Sequence, residues 1–202
     1  MFEFMEEKGN IKFQQIVSTG KSLFWKFGIN RVSIEEICRE ANVSKMTFYK
    51  HFRNKTELIK FILKKLTDEA WEKYYAIMKQ NIPYNEKIKQ TIELKMRGTS
   101  DLSSEFYIDF YKHADPELRN FLQELSNESL KKVKEDYLKA QKEGNIRQDI
   151  NLDFIYYFLN QIFFNLAKDD YLINLYPNPG DLIYELINFF FYGIMPRNNE
   201  TK

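Results

Sequence analysis

The chain has 202 residues, 44% of them hydrophobic and 16% aromatic, with 18 Phe and 13 Tyr against only 7 Gly and 5 Pro. This balance supplies a full apolar core and favours helices over a turn-rich β protein. The one cysteine, Cys38, excludes an intrachain disulfide framework and suits a reducing compartment, and the formal net charge of +1 indicates no partner by itself.

The distribution of charge is more informative than its sum. Residues 1–60 carry 11 Lys/Arg and 7 Asp/Glu, whereas the remainder carries 19 and 22, so a basic first quarter favours an anionic partner. The start of the chain does not have the pattern of a signal peptide, and the most apolar later run is interrupted by Asn160, Gln161 and Asn165. We therefore expect a cytoplasmic protein with no membrane partner.

The first two helices are predicted from apolar spacing and end signals. Apolar residues at helical intervals predict an amphipathic helix that starts at about Ile11 and ends at Gly28. Ser33 with Glu36 three residues later forms a capping box, which opens a second, short helix.

A third helix follows after a turn of a few residues. Asn42 tolerates the left-handed conformation that a tight turn requires, and Ser44 caps a helix that ends near Phe52. Two short helices joined in this way predict a helix-turn-helix, in which the second helix of the pair enters the DNA major groove.

The pattern stays helical beyond this point, and no strand-like alternation is sustained. Further helices are predicted at about residues 55–78, 85–97, 103–112, 116–142, 152–172 and 181–195. The predicted fold class is all-α: an N-terminal three-helix helix-turn-helix domain at 1–58, joined by a long helix to a C-terminal helical domain at 59–202.

On a helical wheel the third helix has two faces. Phe48 and Phe52 share the inner face, and His51 lies near the core boundary. The outer face carries cations, a hydroxyl, a phenol and a thioether but no carboxylate, and its members are Met46, Thr47, Tyr49, Lys50 and Arg53. Lysine can donate to guanine, and Thr and Met can contact a thymine methyl.

A solvated basic face is the alternative reading of these cations. The capping box, the turn and the core spacing coincide here, which favours DNA binding. Lys55 opens the next helix, and its ammonium together with the free N–H groups of that helix start predicts a phosphate clamp.

The segment VSIEEICREANVSKMTFYKHFRNKTEL, Val32–Leu58, resembles the DNA-binding signature of TetR-family transcriptional regulators. The shared pattern is a Ser/Thr-capped helix, a turn ending in Val-Ser, Thr-hydrophobic-Tyr-x-His/Tyr-Phe, and a Lys before an acidic-Leu pair. Three positions depart from it: Asn42 replaces a common Gly, Met46 a frequent small residue, and Glu35 an Arg or another donor.

The resemblance implies a non-enzymatic repressor without cofactor or metal. It implies a homodimer on a palindromic double-stranded DNA operator, released when a small-molecule effector binds the C-terminal helices. The last two helices would form a four-helix dimer interface. The DNA contacts that it assigns are Ser44, Lys45, Met46, Thr47, Tyr49, Lys50, His51 and Lys55.

The last two long helices are apolar over more than one stripe. Such helices must be buried on several sides, which favours an intersubunit bundle over the alternative of a monomeric core. The predicted interface residues are Phe158, Ile162, Leu186 and Phe190.

The segment EFYIDFYKHADPE, Glu105–Glu117, places Asp109 and His113 four residues apart among aromatic side chains. One interpretation is a pocket for an aromatic, hydrophobic or cationic effector, and the other is a set of core aromatics with a surface Asp–His pair. The candidate pocket residues are Trp71, Tyr75, Tyr107, Asp109, Phe110 and His113.

Two other classes of function compete. A small helical enzyme could use Asp109 and His113, but the sequence has no nucleophile elbow, Gly-rich phosphate loop or H-E-x-x-H motif, and two His with one Cys do not form a zinc site. The other alternative is a helical DNA-binding protein without an effector, or a helix-turn-helix used for protein contacts.

Overall fold

The computed structural model describes residues 10–99, 101–165, 169–176 and 178–195. Within these ranges the regular structure is helical, without strands, which confirms the all-α prediction. The helices are α1 Ile11–Phe27, α2 Ile34–Glu40, α3 Lys45–His51, α4 Lys55–Met78, α5 Tyr84–Thr99, α6 Ser104–Tyr111, α7 Pro116–Lys142, α8 Leu152–Asn165, α9 Asp170–Leu175 and α10 Pro179–Ile194. Among the described residues, no helix is both long enough and apolar enough to cross a bilayer.

The predicted end signals of the first helices are confirmed. The side chains of Ser33 and Ser44 cap α2 and α3, accepting from the backbone N–H of Glu36 and Thr47. Asn42, in the turn between them, has a φ of 52°, the left-handed conformation that Asn tolerates better than most residues.

The prediction of one helix over 152–172 is wrong. α8 ends at Asn165, and α9 begins at Asp170. The carboxylate of Asp169 accepts from the backbone N–H groups of Tyr171 and Leu172, so it caps a new helix. An N-cap aspartate is a start signal that the apolar pattern hides.

The chain divides into two compact units. The first contains the chain up to Glu69 together with Asp101–Leu118, and the second contains Ala70–Ser100 together with the chain from Arg119 onwards. The division falls within α4, and α6 belongs to the first unit although it lies far along the sequence. The functional domains 1–58 and 59–202 stay a prediction.

The first unit is built around α1, which packs against α2, α3 and α6. Its largest fully buried side chains include Phe24, Ile37, Phe48, Phe52 and Leu58. Each phenylalanine buried in this way contributes about 1.5–3 kcal/mol relative to an exposed one. This core therefore fixes the inner face of α3.

In the second unit α5 packs against α10. Its core, the second-unit core, consists of Ile88, Ile92, Tyr137, Ala140, Ile146, Leu152, Ile155, Ile187, Phe191 and Ile194. Residues from α5, α7, α8 and α10 thus share one apolar cluster. The breadth of the apolar surface on α8 and α10 is partly explained by this packing within one chain.

Candidate DNA-binding interface

Helix α3 is held by a polar cap at its start and by aromatic packing along its inner face. The hydroxyl of Ser44 accepts from the Thr47 N–H at 3.0 Å and shares a 2.9 Å hydrogen bond with the Thr47 hydroxyl. Phe48 and Phe52 are buried, as the wheel predicts. Losing a serine cap of this kind costs about 1 kcal/mol of stability.

The outer face of α3 is open to solvent. Met46 is 71% exposed and Tyr49 54% exposed, and Lys50 is also exposed. Thr47 is half-buried, and its hydroxyl hydrogen-bonds with that of Ser44. The face therefore offers a thioether, a phenol and an ammonium group, which can contact thymine methyls, phosphates and guanine respectively.

Two other cations near this face are held by acidic side chains of the protein. Lys45 forms an ion pair with Glu35 on α2, and the guanidinium of Arg53 lies 3.2 Å from a carboxylate oxygen of Glu57. Among the described residues, Lys50 has no such acidic partner. It is the cation of this face that is most available to DNA.

The Glu35–Lys45 pair shifts the pKa of both groups toward the charged form. The hydrogen bond with Lys45 lowers the pKa of the Glu35 carboxyl and raises the pKa of the Lys45 ammonium. The helical pattern does not predict this pair, because its partners lie on different helices. The feature of the sequence that could have indicated it is the acid at position 35.

His51 lies at the edge of the core, as predicted. It is half-buried, and its ring meets that of Phe13 on α1 edge-on, with centroids 5.4 Å apart. The imidazole therefore contributes to docking α3 on α1, in addition to any contact with DNA.

Lys55 supports the loop between α1 and α2. Its Nζ donates to the carbonyl oxygens of Asn30 at 3.1 Å and Val32 at 2.8 Å. Burial lowers the pKa of this ammonium, and the charge of Asp109 opposes that shift. An ammonium has three donors, so one remains for a phosphate oxygen.

Comparison with known proteins identifies this arrangement. Residues 16–61 match the family of bacterial regulatory proteins called the tetR family. This N-terminal segment therefore carries the helix-turn-helix of the tetR family. The helix-turn-helix is α2 and α3, and α3 is the recognition helix, the helix of the pair that enters the DNA major groove in this motif.

Sequence and fold likenesses extend beyond the matched segment. The HTH-type transcriptional regulator YhgD of Bacillus subtilis (strain 168), itself uncharacterized, is 24% identical over 134 residues, which cover 65% of this chain and 70% of YhgD. FadR of Bacillus subtilis, in complex with stearoyl-CoA, has a TM-score of 0.68 at 15% identity and covers 90% of this chain and 99% of its own. A transcriptional regulator from Saccharomonospora viridis, in complex with choline, has a TM-score of 0.68 at 19% identity. The likeness covers 91% of this chain and 97% of that structure's chain.

Asp109 on α6 binds the loop at the end of α1. Its Oδ2 accepts from the Asn30 backbone N–H at 2.8 Å, and its Oδ1 accepts from the Asn30 side-chain amide at 2.7 Å. Gly28 has a φ of 83°, and a Cβ there would lie 2.6 Å from Oδ2. Asp109 is thus engaged with the α1–α2 loop.

The other candidate pocket residues are divided between the two units. Trp71 and Tyr75 are stacked in the second unit, with ring centroids 5.5 Å apart. Phe110 and His113 lie with Asp109 in the first unit, where Phe110 stacks on Phe106 and His113 is exposed. The side chain of Tyr107 lies outside the described residues. The pocket stays a prediction.

The predicted dimer residues have different surroundings. Phe190 stacks on Tyr137, at 6.1 Å, and packs against the second-unit core. Leu186 and Phe158 are half-buried, and the side chain of Ile162 lies outside the described residues. Among the described side chains of α8 and α10, the large exposed aromatics are Phe154, Tyr157, Tyr184, Phe189 and Tyr192. The apolar pattern could not separate these from their buried neighbours.

Proposed function

We propose that this protein is a TetR-family repressor that binds a palindromic operator as a homodimer and is released by a small molecule. The observation that carries the proposal is the outer face of α3. It exposes Met46, Tyr49 and Lys50 without a carboxylate, while Phe48 and Phe52 fix the opposite face. A helix packed on its inner face, and carrying no acid of its own on the outer one, suits the major groove and its flanking phosphates.

A dimer gives this short recognition helix sufficient specificity. One seven-residue helix reads few bases, whereas two copies related by a two-fold axis read a palindrome with half-sites about one helical turn or more apart. The exposed aromatics of α8 and α10 supply an apolar surface for the second copy. Phe189 and Tyr192, each 72% exposed, are the most exposed of these aromatics on α10.

Release by an effector is supported by the similar folds. The Bacillus subtilis FadR structure contains stearoyl-CoA, and the Saccharomonospora viridis structure contains choline. These ligands differ in size and charge, so the fold accepts more than one class of small molecule. A regulator of this kind acts on chromosomal DNA, which places it in the cytoplasm.

A gel-shift titration tests the proposal. The probe is the intergenic DNA upstream of the protein's own coding region, and the competitor is random DNA of equal length. Selective retardation that weakens with rising salt is expected, because phosphate contacts release counterions. Lys50→Ala should weaken it, whereas Lys142→Ala, an exposed lysine on α7, should not. Equal retardation of random DNA would remove the regulator proposal, and selective binding that no compound reverses would favour the effector-free alternative.

A further inference from the structure

Asp136 on α7 is a half-buried acid, and one oxygen of its carboxylate is left without a partner in the described part of the protein. Its Oδ2 is shielded from solvent and has no hydrogen-bond partner. The carboxylate accepts a hydrogen bond from the hydroxyl of Tyr74 on α4. No lysine or arginine in the described ranges forms an ion pair with it. Burial is the largest influence on the pKa of this carboxyl and raises it, whereas the hydrogen bond from Tyr74 lowers it. The charge of neighbouring Glu135 raises this pKa, and the charge of Lys139 lowers it.

Aromatic side chains from three helices surround this carboxylate. Its charge acts on the tyrosines at four positions, and together with burial it raises the pKa of each phenol. They are Tyr74, Tyr75, Tyr84 and Tyr137. All of them lie in the second unit with Asp136.

Trp71 extends the aromatic cluster and already holds a cation. Its ring lies 5.3 Å from that of Tyr74 and 5.5 Å from that of Tyr75, centroid to centroid. The ammonium of Lys132 is 5.1 Å from the centre of the Trp71 ring. Indole and phenol faces attract ammonium groups through the ring quadrupole. Lys132 is a flexible side chain that an incoming organic cation can replace.

The chemistry of the missing partner follows from these groups. A buried carboxylate is costly unless a positive charge or further hydrogen bonds compensate it. An ammonium group supplies both charge and donors for Oδ2, and the aromatic rings accommodate the apolar body attached to it. A neutral ligand would supply no charge, and an anionic ligand would be repelled.

We infer that Asp136, with the aromatic cluster of Trp71, Tyr74 and Tyr75, binds the ammonium group of an organic cation with an apolar body. This inference rests on the proposed function only in taking that cation to be the effector that releases DNA. Binding of the cation itself does not depend on the repressor role. The site differs from the pocket predicted around Asp109, because its acid is Asp136 and all its residues belong to the second unit.

Calorimetric titration with two probes of similar size tests the charge requirement. The probes are 2-phenylethylammonium chloride and neutral 2-phenylethanol, and the proteins are the full-length chain, Asp136→Asn and the control Glu128→Gln, an exposed acid on the same helix. The unsubstituted protein should prefer the ammonium by about tenfold or more, the usual gain from a hydrogen bond to a charged group. Asp136→Asn should lose that preference, and Glu128→Gln should keep it.

A fluorescence titration locates the binding event. The chain has two tryptophans, so Trp25→Phe leaves Trp71 as the reporter. Ammonium binding should change its emission at the concentrations found by calorimetry, and this holds even if Asp136→Asn fails to fold. Equal affinity for the two probes, no binding of either at millimolar concentration, or an unchanged preference in folded Asp136→Asn would overturn the inference. A gel shift without either small molecule tests the repressor proposal separately. Loss of operator selectivity there would remove that proposal but would not change the calorimetric result.

Discussion

Asp109 binds Asn30 with both oxygens of its carboxylate, at 2.8 Å to the backbone N–H and 2.7 Å to the side-chain amide. These residues are 79 positions apart in the sequence. Asn30 also offers its carbonyl oxygen to Lys55 at 3.1 Å. One asparagine in the loop before the helix-turn-helix is therefore tied to α6 and to the start of α4.

Substitutions of Asp109 and Asn30 should lower the free energy of unfolding, and their combined effect should differ from the sum of the two single effects. Asp109→Ala should reduce the free energy of unfolding by about 1–2 kcal/mol, because two hydrogen bonds to a carboxylate are lost. Asn30→Ala should cost less, since its backbone N–H still reaches Asp109. A double-mutant cycle by urea denaturation measures the coupling, and strictly additive effects would show that the hydrogen bond between the two side chains contributes nothing.

Gly28 is the second point at which α6 constrains this loop. A Cβ there would lie 2.6 Å from Asp109 Oδ2 and 3.3 Å from the backbone carbon of Glu105, and the φ of 83° disfavours any side chain. Gly28→Ala should destabilise the protein by about 1–3 kcal/mol.

Gly98 provides the matched control. It lies within α5, and a Cβ there would have no neighbour within 4 Å. Gly98→Ala should therefore stabilise the protein by about 0.5–1 kcal/mol, the usual helix preference for alanine. If both substitutions changed the melting temperature in the same direction, the special role of Gly28 would be refuted.

The Glu35–Lys45 ion pair should restrain binding to DNA. Glu35→Gln removes an anion beside the recognition helix and frees the Lys45 ammonium for a phosphate. Operator affinity should rise, and the slope of log K against log salt should become steeper by about 0.9, the value for one more phosphate contact. Glu40→Gln, whose acid pairs with Arg39 at the other end of α2, is the control and should change the slope less. Fluorescence anisotropy over a salt series decides the point.

How far the sequence predicts this molecule depends on the range of the interaction concerned. The Ser33 and Ser44 caps, the left-handed Asn42 and the inward Phe48 are local, so spacing alone predicts them. The contact of Asp109 with Asn30 spans two distant segments, and nothing in the helical period around Asp109 indicates it. For the same reason the sequence pattern relates Asp109 to His113 and not to Asn30, and the pocket proposed there stays a prediction.

The spacing of apolar residues along the sequence also does not show which of two neighbouring apolar side chains is buried. Phe189 and Phe190 are adjacent and identical in type, yet the first is 72% exposed and the second packs against the second-unit core. Only the orientation of α10 relative to α5 and α7 separates them. Asp136 is a similar case. In the sequence it is one of many charges on a polar helix, and only the folded structure brings tyrosines from other helices close to it.

Lys50 and Lys55 should affect DNA binding by different routes. Lys50 is exposed and free of an acidic partner in the described part of the chain, so Lys50→Ala should change the preferred bases without changing the melting temperature. Lys55→Ala removes the donor to Asn30 and Val32, so it should weaken binding to all sequences and lower the melting temperature by a few degrees. Binding-site selection and thermal denaturation of both variants test this. A uniform loss of affinity in Lys50→Ala would remove its base-reading role, and Met46→Ala would then be the next candidate.

The dimer surface is best tested at Phe189 rather than Phe190. Phe190 stacks on Tyr137 within one chain, so a charge there would damage the fold as well as any interface. Phe189→Glu places a carboxylate on an exposed position of α10 and should yield monomers in light scattering with an unchanged circular dichroism spectrum. Tyr171→Glu on α9, a residue 73% exposed, is the matched control and should leave the oligomeric state as it is. Because two recognition helices are needed to read a palindrome, the Phe189→Glu monomer should also lose operator selectivity while keeping weak, salt-sensitive binding to any DNA. An intact dimer in Phe189→Glu would place the interface elsewhere on the chain.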